Sequence, residues 1–238
     1  AGGMSSWERC TLGLPTLLLV IADNQRANAE ALAAAGAARI VKPETNALVE
    51  AINALAGDSA ALERMSRAAS RLADGIGAIR VSQAVGELPC ARDGQAVRLR
   101  PVTAEDSDLL LELQRKPETR RFARNRNIPS QAEHTCWMRG KLYDPGCFMN
   151  LILLGETPAG VARLDRLPEG YEVSIAVDPA YFRLGIGGIT LTLLHQLVPE
   201  ADLLAHVASD NIASRSLFER AGYSEAEQSG WLRQRGLS

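Results

Sequence analysis

No run in this 238-residue sequence is long and apolar enough to span a bilayer. The longest, LGLPTLLLVIA, falls short of the ~20 residues a membrane helix needs and carries a proline. The start shows no signal-peptide succession of basic, apolar and small residues. Neither sign of charge is in excess: a formal net charge of -2, with 23% charged and 46% hydrophobic residues, leaves no basic footprint for nucleic acid. The four cysteines, Cys10, Cys90, Cys136 and Cys147, form no C-x-x-C pair, and only His134 lies beside one of them. They read as free thiols, with neither a disulfide frame nor a metal site. Repeats and low-complexity segments are absent as well. These absences predict a cytoplasmic globular protein that works on neutral or acidic small molecules, without nucleic-acid or membrane partners, and they leave a homodimer open. An initiator methionine is also missing. The chain opens AGGMSSWE, directly in turn residues, and so reads as a piece of a longer protein.

What is present alternates helix and strand from Ser5 to about Asp74. SSWERCTLG predicts a short helix closed by Gly13, LPTLLLVIA a buried parallel strand, and NQRANAEALAAAG a helix with Asn24 as its N-cap and Gly36 as its stop. AARIV predicts a second strand, and the stretch to Asp74 two helices broken at Gly57-Asp58. Two strands are fewer than a doubly wound sheet requires, so the others are expected upstream of Ala1. LPCARDG, Leu88 to Gly94, gathers turn formers and marks the expected boundary between residues 1–90 and 95–238. Beyond it VRLRPV reads as a strand, AEDSDLLLELQ and QAEHTCWMRGKLY as helices, and CFMNLILLG, AGVARLDRL and YEVSIAV as an antiparallel meander. Its turns are expected at Glu156-Thr157-Pro158 and Pro168-Glu169-Gly170. A helix, a strand, a helix and two short strands follow, giving a mixed α+β second domain.

The stretch VDPAYFRLGIGG, Val177 to Gly188, joins a strand to a helix through glycines. Without Cβ atoms at Gly185, Gly187 and Gly188, backbone N–H groups can converge there and the helix dipole adds to them, a geometry suited to a diphosphate. A glycine-rich turn of this kind also occurs with no ligand at all. A second stretch, NIASRSLFERAGY, follows one helix and one strand later.

Together YEVSIAVDPAYFRLGIGG and NIASRSLFERAGY resemble the GNAT superfamily of acyl-CoA-dependent N-acetyltransferases over roughly Ala96 to Ser238. The resemblance implies acetyl-CoA as cosubstrate and no metal. It implies that the Gly185-Ile186-Gly187-Gly188 turn with Arg183 holds the pyrophosphate, that the strand end at Val177 grips the pantetheine arm, and that Asn211 and Ser214 lie near the cofactor. The sequence departs from the pattern at three places: Phe182 stands where Gln or Arg is usual, Arg183 where glycine is usual, and Phe218 where a tyrosine often serves as general acid. An amine must be neutral to attack a thioester, so a base is useful. Strand alternation puts Glu172, Ser174 and Ala176 on one face of YEVSIAV, which makes Glu172 the candidate base. A solvated carboxylate and an ion-pair partner of Arg163 are the other roles open to it.

The first block, AGGMSSWERCTLGLPTLLLVIADNQ, resembles the nucleotide-sugar-binding half of GT-B enzymes. It is most similar to the UDP-2,4-diacetamido-2,4,6-trideoxy-β-L-altropyranose hydrolases of pseudaminic acid synthesis, whose closing segment RLADGIGAIRV also resembles. The implied UDP-sugar contacts are Gly2, Gly3, Ser5, Ser6, Glu8, Asn24 and Gln25, in a hydrolase part that is incomplete. PETRRFARNRNIPSQAEHTCWM resembles the substrate side of the acetyltransferases of the same pathway, with Arg120, His134 and Trp137 in matching places. The chain is thus expected to hold a partial GT-B, Rossmann-like α/β segment followed by a mixed α+β acyltransferase. That acyltransferase is expected to acetylate a UDP-linked 4-amino-4,6-dideoxy sugar. Another amine acceptor, or hydrolase activity confined to a longer protein, is the alternative.

Overall fold

The computed structural model describes residues 5–73, 75, 77–78, 81, 85–226 and 231–234. Gly2 and Gly3, and parts of the Arg71–Val81 segment, lie outside the described residues. The chain divides into two compact units, residues 1–78 and 79–238. Among the described residues no helix is long and apolar enough to cross a membrane.

In the first unit, helix α1 (Ser5–Thr11) ends at Gly13, whose φ of +60° only glycine adopts without strain. Strand β1 (Thr16–Leu19) then pairs in parallel with β2 (Ala38–Val41), in register Thr16 to Ala38 through Leu19 to Val41. Helix α2 (Arg26–Ala34) makes the crossover, as a parallel pair requires. Helices α3 (Thr45–Ala56) and α4 (Ser59–Leu72) follow, and Asp58 caps α4 by accepting from the Ala61 N–H at 2.8 Å. Cys10, Leu18, Leu32 and four alanines, Ala29, Ala37, Ala38 and Ala69, form the core. Asn24 is not the cap expected of it. It lies inside a 3-10 turn, Asp23–Gln25, and α2 starts after Gln25 with no side-chain cap, because the turn itself delivers the chain in helical geometry.

The second unit is built on a seven-stranded sheet in the order β3-β4-β5-β6-β7-β9-β8. The strands are β3 (Val97–Pro101), β4 (Cys147–Leu154), β5 (Thr157–Leu167), β6 (Gly170–Val177), β7 (Leu203–His206), β8 (Ser224–Glu225) and β9 (Trp231–Gln234). Neighbours run antiparallel except β6 and β7, which are parallel and joined by a crossover through helix α8 (Ile186–Leu197). Helices α5 (Ser107–Arg115) and α7 (Gln131–Leu142) cover one face, where Leu110 and Met138 meet Met149, Leu151 and Leu153 of β4. Helix α8 packs on β3, β5 and β6. Strand β4 is buried on both faces, which is why CFMNLILL reads as a continuous apolar run. Between them α6 (Pro117–Arg121) follows α5, and α9 (Ile212–Arg220) follows β7. The turn after β4 is Gly155-Glu156, one residue earlier than the turn residues suggested, so Thr157 and Pro158 belong to β5.

Two close approaches shape the sheet around β6. The β4–β5 register slips between Ile152 and Leu153, leaving Ala159 as an extra residue in a bulge beside Gly160. A Cβ on Gly160 would lie 2.4 Å from the Ala176 carbonyl oxygen of β6. At the other end, a Cβ on Gly170 would lie 2.1 Å from the Asp202 carbonyl oxygen, the same oxygen that accepts from the Tyr171 N–H at 2.9 Å. That contact sets where β7 joins β6.

Beneath α7, Asp165 of β5 accepts from Lys141 Nζ and from Arg163 Nε, each at 2.6 Å, and Arg163 stacks over the Trp137 ring at 5.6 Å. Burial pushes the Asp165 carboxyl upward, but the Lys141 hydrogen bond and the Arg163 charge outweigh it and hold the pKa below the ordinary value. Opposite it, burial and the Asp165 charge push the Cys147 thiol up to about 12, so that this cysteine is an inert neutral packing group.

Two outcomes follow for stability. Gly170→Ala should cost roughly 1–3 kcal/mol in urea unfolding, the range for forcing atoms into packed space, whereas Gly140→Ala, whose Cβ meets nothing within 4 Å on exposed α7, should gain about 0.5–1 kcal/mol. Equal effects would remove the role given to the Gly170–Asp202 contact. A carboxyl with a depressed folded pKa contributes stability that is present above its unfolded pKa, about 3.9, and lost as pH falls through the folded value. Asp165→Asn should therefore lower stability at neutral pH and flatten its loss below about pH 4, as read by thermal unfolding across the acid range.

Candidate functional site

Parallel pairing between β6 and β7 lasts for two residues only, Tyr171 with Leu203 and Glu172 with Leu204. Beyond Glu172 the strands part. From Val173 to Val177, β6 keeps its β5 partners on one edge, and on the other its alternate backbone N–H and C=O groups face the gap. The gap therefore offers a strip of main-chain donors and acceptors to an extended ligand, with Gly160 opposite Val177 at its far end.

The glycine turn stands where β6 gives way to α8. A 3-10 turn, Pro179–Tyr181, is capped by the Asp178 carboxylate, which accepts from the Ala180 N–H at 3.0 Å. The chain then reaches Arg183 with φ +67° and Gly185 with φ +83° and ψ 1°, while Leu184 between them keeps negative φ. Left-handed residues on either side of Leu184 bend the chain sharply just before α8. Gly185 is the N-cap of α8 and has no side chain to give, so the N–H groups of the first helical turn have no capping side chain among the described residues. Converging amides at the positive end of a twelve-residue helix suit a diphosphate.

The other residues predicted to hold the cofactor fall around this turn in distinct ways. Ile186 is buried to 1% exposure, so its side chain packs into the core and is not available to a ligand. A Cβ on Gly187 would lie 3.0 Å from Leu217 Cδ2 of α9, and one on Gly188 4.0 Å from Leu217 Cδ1. The pair of glycines thus serves the α8–α9 packing as well as any ligand, a constraint carried by a residue that sequence reasoning did not single out. Asn211 is the N-cap of α9, its Oδ1 accepting from the Ser214 N–H at 3.1 Å, so these two predicted contacts form one capping pair. Phe218 is buried and packs edge-on against Tyr223 with ring centroids 4.9 Å apart. The Tyr223 hydroxyl is buried with no hydrogen-bond partner among the described residues, and burial raises its pKa, which keeps the phenol protonated.

On the sheet face covered by α5 and α7 stands Glu172, at the root of the gap, with its side chain 17% exposed. Its ion-pair partner is Arg124, not Arg163, which the Asp165 carboxylate takes instead. Lys116 pairs with Asp178 at 2.6 Å. The segment from Lys116 to Arg124 is therefore fastened at both ends of β6 and runs beside the open stretch. Two signals in the sequence bore on this, the acidic residues flanking SIAV and the density of arginine after Arg115, but nothing in it gave their pairing.

Arg120 sits half-buried within that segment, giving hydrogen bonds from Nη1 to the carbonyls of Asn125 at 2.9 Å and Asn127 at 3.2 Å, and burial lowers its pKa. His134 is 1% exposed, with Nε2 donating to the Ser107 carbonyl at 2.9 Å and Nδ1 3.4 Å from the Gln114 side chain. Burial lowers its pKa, and the ring bridges α5 and α7. Trp137 lies half-buried between His134 and Arg163.

In the first unit, Ser6 is buried with Oγ accepting from Arg9 Nη2 at 3.0 Å, and Ser5 Oγ accepts from Arg9 Nη1 at 3.4 Å. Glu8 and Asn24 are exposed and Gln25 is half-buried. A groove of about 680 Å³ in this unit is lined by Arg39, Arg64, Arg67 and Arg71 with apolar neighbours, and none of the predicted nucleotide contacts lines it. Among the described residues no group of three or more His, Cys, Asp or Glu side chains is placed to hold a metal.

Comparison with known proteins bears on the family and the fold. No curated protein sequence matches the chain. Among solved structures of the same fold are RimL, the ribosomal L7/L12 alpha-N-protein acetyltransferase, in complex with coenzyme A (16% identity, TM-score 0.53, over 63% of this chain and 97% of that one), and aminoglycoside acetyltransferase AAC(6')-Ib with coenzyme A (16% identity, TM-score 0.52, 59% and 95%). Spermidine N-acetyltransferase from Vibrio cholerae, in complex with CoA and spermine, is a third (16% identity, TM-score 0.50, 55% and 82%). Residues 1–79 match the family model of the glycosyltransferase family 28 C-terminal domain, consistent with the Rossmann-like pairing of β1 and β2. Residues 96–224 match the model of the GNAT acetyltransferase domain. That match spans more than half of the chain, which therefore belongs to the GNAT N-acetyltransferases, enzymes that use acetyl-CoA as cosubstrate.

Proposed function

We propose that this acetyltransferase transfers the acetyl group to the amine of a UDP-linked 4-amino-4,6-dideoxy sugar, in pseudaminic acid biosynthesis and in the cytoplasm. On this reading residues 1–90 are the C-terminal, incomplete part of the UDP-sugar hydrolase of the same route, and residues 95–238 the acetyltransferase domain. Acetyl-CoA lies along the gap, its diphosphate on the amides of Gly185 to Gly188, its pantetheine arm on the β6 edge ending at Val177, with Asn211 and Ser214 alongside. The acceptor enters from the side of Arg120, His134 and Trp137.

The observation that carries the acceptor class is charge. Between Arg115 and Arg126 stand Arg115, Lys116, Arg120, Arg121, Arg124 and Arg126 against one acid, Glu118, in a chain of formal net charge -2. Lys116 and Arg124 are spent on Asp178 and Glu172. The segment still carries net positive charge beside the open part of β6. A cationic surface repels a polyamine or an aminoglycoside and attracts an amine carried on a diphosphate.

In the reaction, the neutral amine forms the new C–N bond at the thioester carbonyl while a β6 amide at the gap donates to the developing oxyanion. Glu172 takes the proton from the amine, directly or through one water, and the C–S bond breaks to release CoA as thiolate. No tyrosine stands at position 218 to protonate the sulfur. A thiol pKa near 8.5 makes departure as thiolate tolerable.

With purified chain and a chromogenic thiol assay, the UDP-linked amino sugar should turn over at a kcat/KM at least about tenfold above spermidine, kanamycin and a peptide N-terminus, a difference of ~1.4 kcal/mol. Preference for any of the other three overturns the acceptor assignment. Glu172→Gln should lower kcat by about 10²-fold or more, the worth of a positioned base, and leave the Kd for acetyl-CoA unchanged. Undiminished kcat would leave Glu172 as the ion-pair anchor of Arg124 only.

A further inference from the structure

The turn that carries the diphosphate site holds a conformation its sequence resists. Arg183 is the only residue other than glycine with positive φ among the described residues, at +67°. Left-handed backbone costs an L-residue with a Cβ on the order of 1–2 kcal/mol, so some contact must hold it. That contact comes from 91 positions earlier in the chain. Arg92 lies in the turn that precedes β3, where Ala91 and Gln95 pair through the Ala91 N–H at 2.8 Å. Its backbone N–H donates to the Leu184 carbonyl at 3.0 Å and its Nη1 to the Arg183 carbonyl at 3.2 Å.

In a trans peptide the C=O and the following N–H point in opposite directions. Because Arg92 draws two successive carbonyls to itself, the N–H groups of Leu184 and Gly185 point away from it, and Gly185 leads directly into the uncapped first turn of α8. We infer that Arg92 is a positioning residue for cosubstrate binding: it clamps the Arg183 and Leu184 carbonyls and so presents the amides of Leu184 and Gly185 to the CoA diphosphate. Its guanidinium works through the loop backbone, on the side opposite the anion. This inference rests on the placement of CoA at the Gly185 turn proposed above.

The clamp explains how Arg183 can stand in a place where glycine would be strain-free, and it predicts an unusual rescue. Arg92→Ala removes the side-chain donor to the Arg183 carbonyl and leaves only the backbone bond to Leu184 to hold the left-handed residue. Arg183→Gly removes the strain that needed support. Titration calorimetry with CoA should show the Kd of Arg92→Ala raised about tenfold, the equivalent of the left-handed cost. The double variant Arg92→Ala, Arg183→Gly should return to within about threefold of the parent, the error expected of a compensated pair. A residue that met the phosphates directly would not be rescued by glycine. An unchanged Kd in Arg92→Ala, or a loss that Arg183→Gly fails to restore, overturns the clamp. Thermal unfolding of the same three proteins without CoA reads the clamp independently of the ligand: the Tm should fall in Arg92→Ala and recover in the double variant. Should the parent bind no CoA, the placement of CoA fails, and the Tm series alone sustains or overturns the clamp.

Discussion

The second unit depends on where β6 and β7 stop pairing. Two parallel strands joined by a helix would ordinarily stay in contact along their length, since each unpaired pair of backbone groups in an interior costs free energy. Here the pairing begins at Tyr171 because Gly170 lets β6 press against the Asp202 carbonyl, and it ends at Glu172. From that point the bulge at Ala159 and the close approach of Gly160 to Ala176 keep β6 bound to β5. The strand can leave one neighbour only because it is held by the other. Everything else around the gap is arranged by that separation: α8 starts at its mouth, Glu172 at its root, and the segment from Lys116 to Arg124 along its side.

Charge is distributed to match. The face under α7 encloses its ions: Asp165 takes Lys141 and Arg163, Arg163 lies over Trp137, and the thiol beside them is neutral. The positive charge from Arg115 onward is instead displayed at the surface, where, among the described residues, two of six cations meet a carboxylate, Lys116 on Asp178 and Arg124 on Glu172. A closed network stabilises the layer between helix and sheet, while an open one of a single sign would favour an anionic substrate of the kind proposed above. The two lie on the same face of the sheet and cannot exchange roles, because Asp165 is already saturated by its own pair.

Much of the architecture was legible in the residues, for a definite reason. Elements whose identity depends on local pattern, such as the apolar run of β4, the alternation of β6, the Gly57-Asp58 break and the glycine turn before α8, are written within a dozen positions and can be read there. Contacts between distant positions are not. Arg124 reaches Glu172 across 48 residues, Lys116 reaches Asp178 across 62, and Arg92 reaches Arg183 across 91. Arginine was available to Glu172 at Arg163 on the adjacent strand, but the register sets Arg163 opposite Ser174 and within its own strand's reach of Asp165, so the nearer candidate loses. Asn24 failed as a cap because the 3-10 turn it occupies already supplies the geometry a cap would provide.

The departures from the family pattern teach the most about how sequence and structure trade constraints. A motif states which residues solve a local problem most cheaply, and at position 183 the problem is a left-handed backbone for which glycine is cheapest. An arginine there need not mean that the backbone changed. Here the backbone is left-handed with arginine in place, and a hydrogen bond from another part of the chain meets it. Phe182 is half exposed and touches this arrangement without a charge to give. A motif read through its side chains therefore looks weaker here than one read through its backbone, because the proposed site depends on where amides point and not on which side chains flank them.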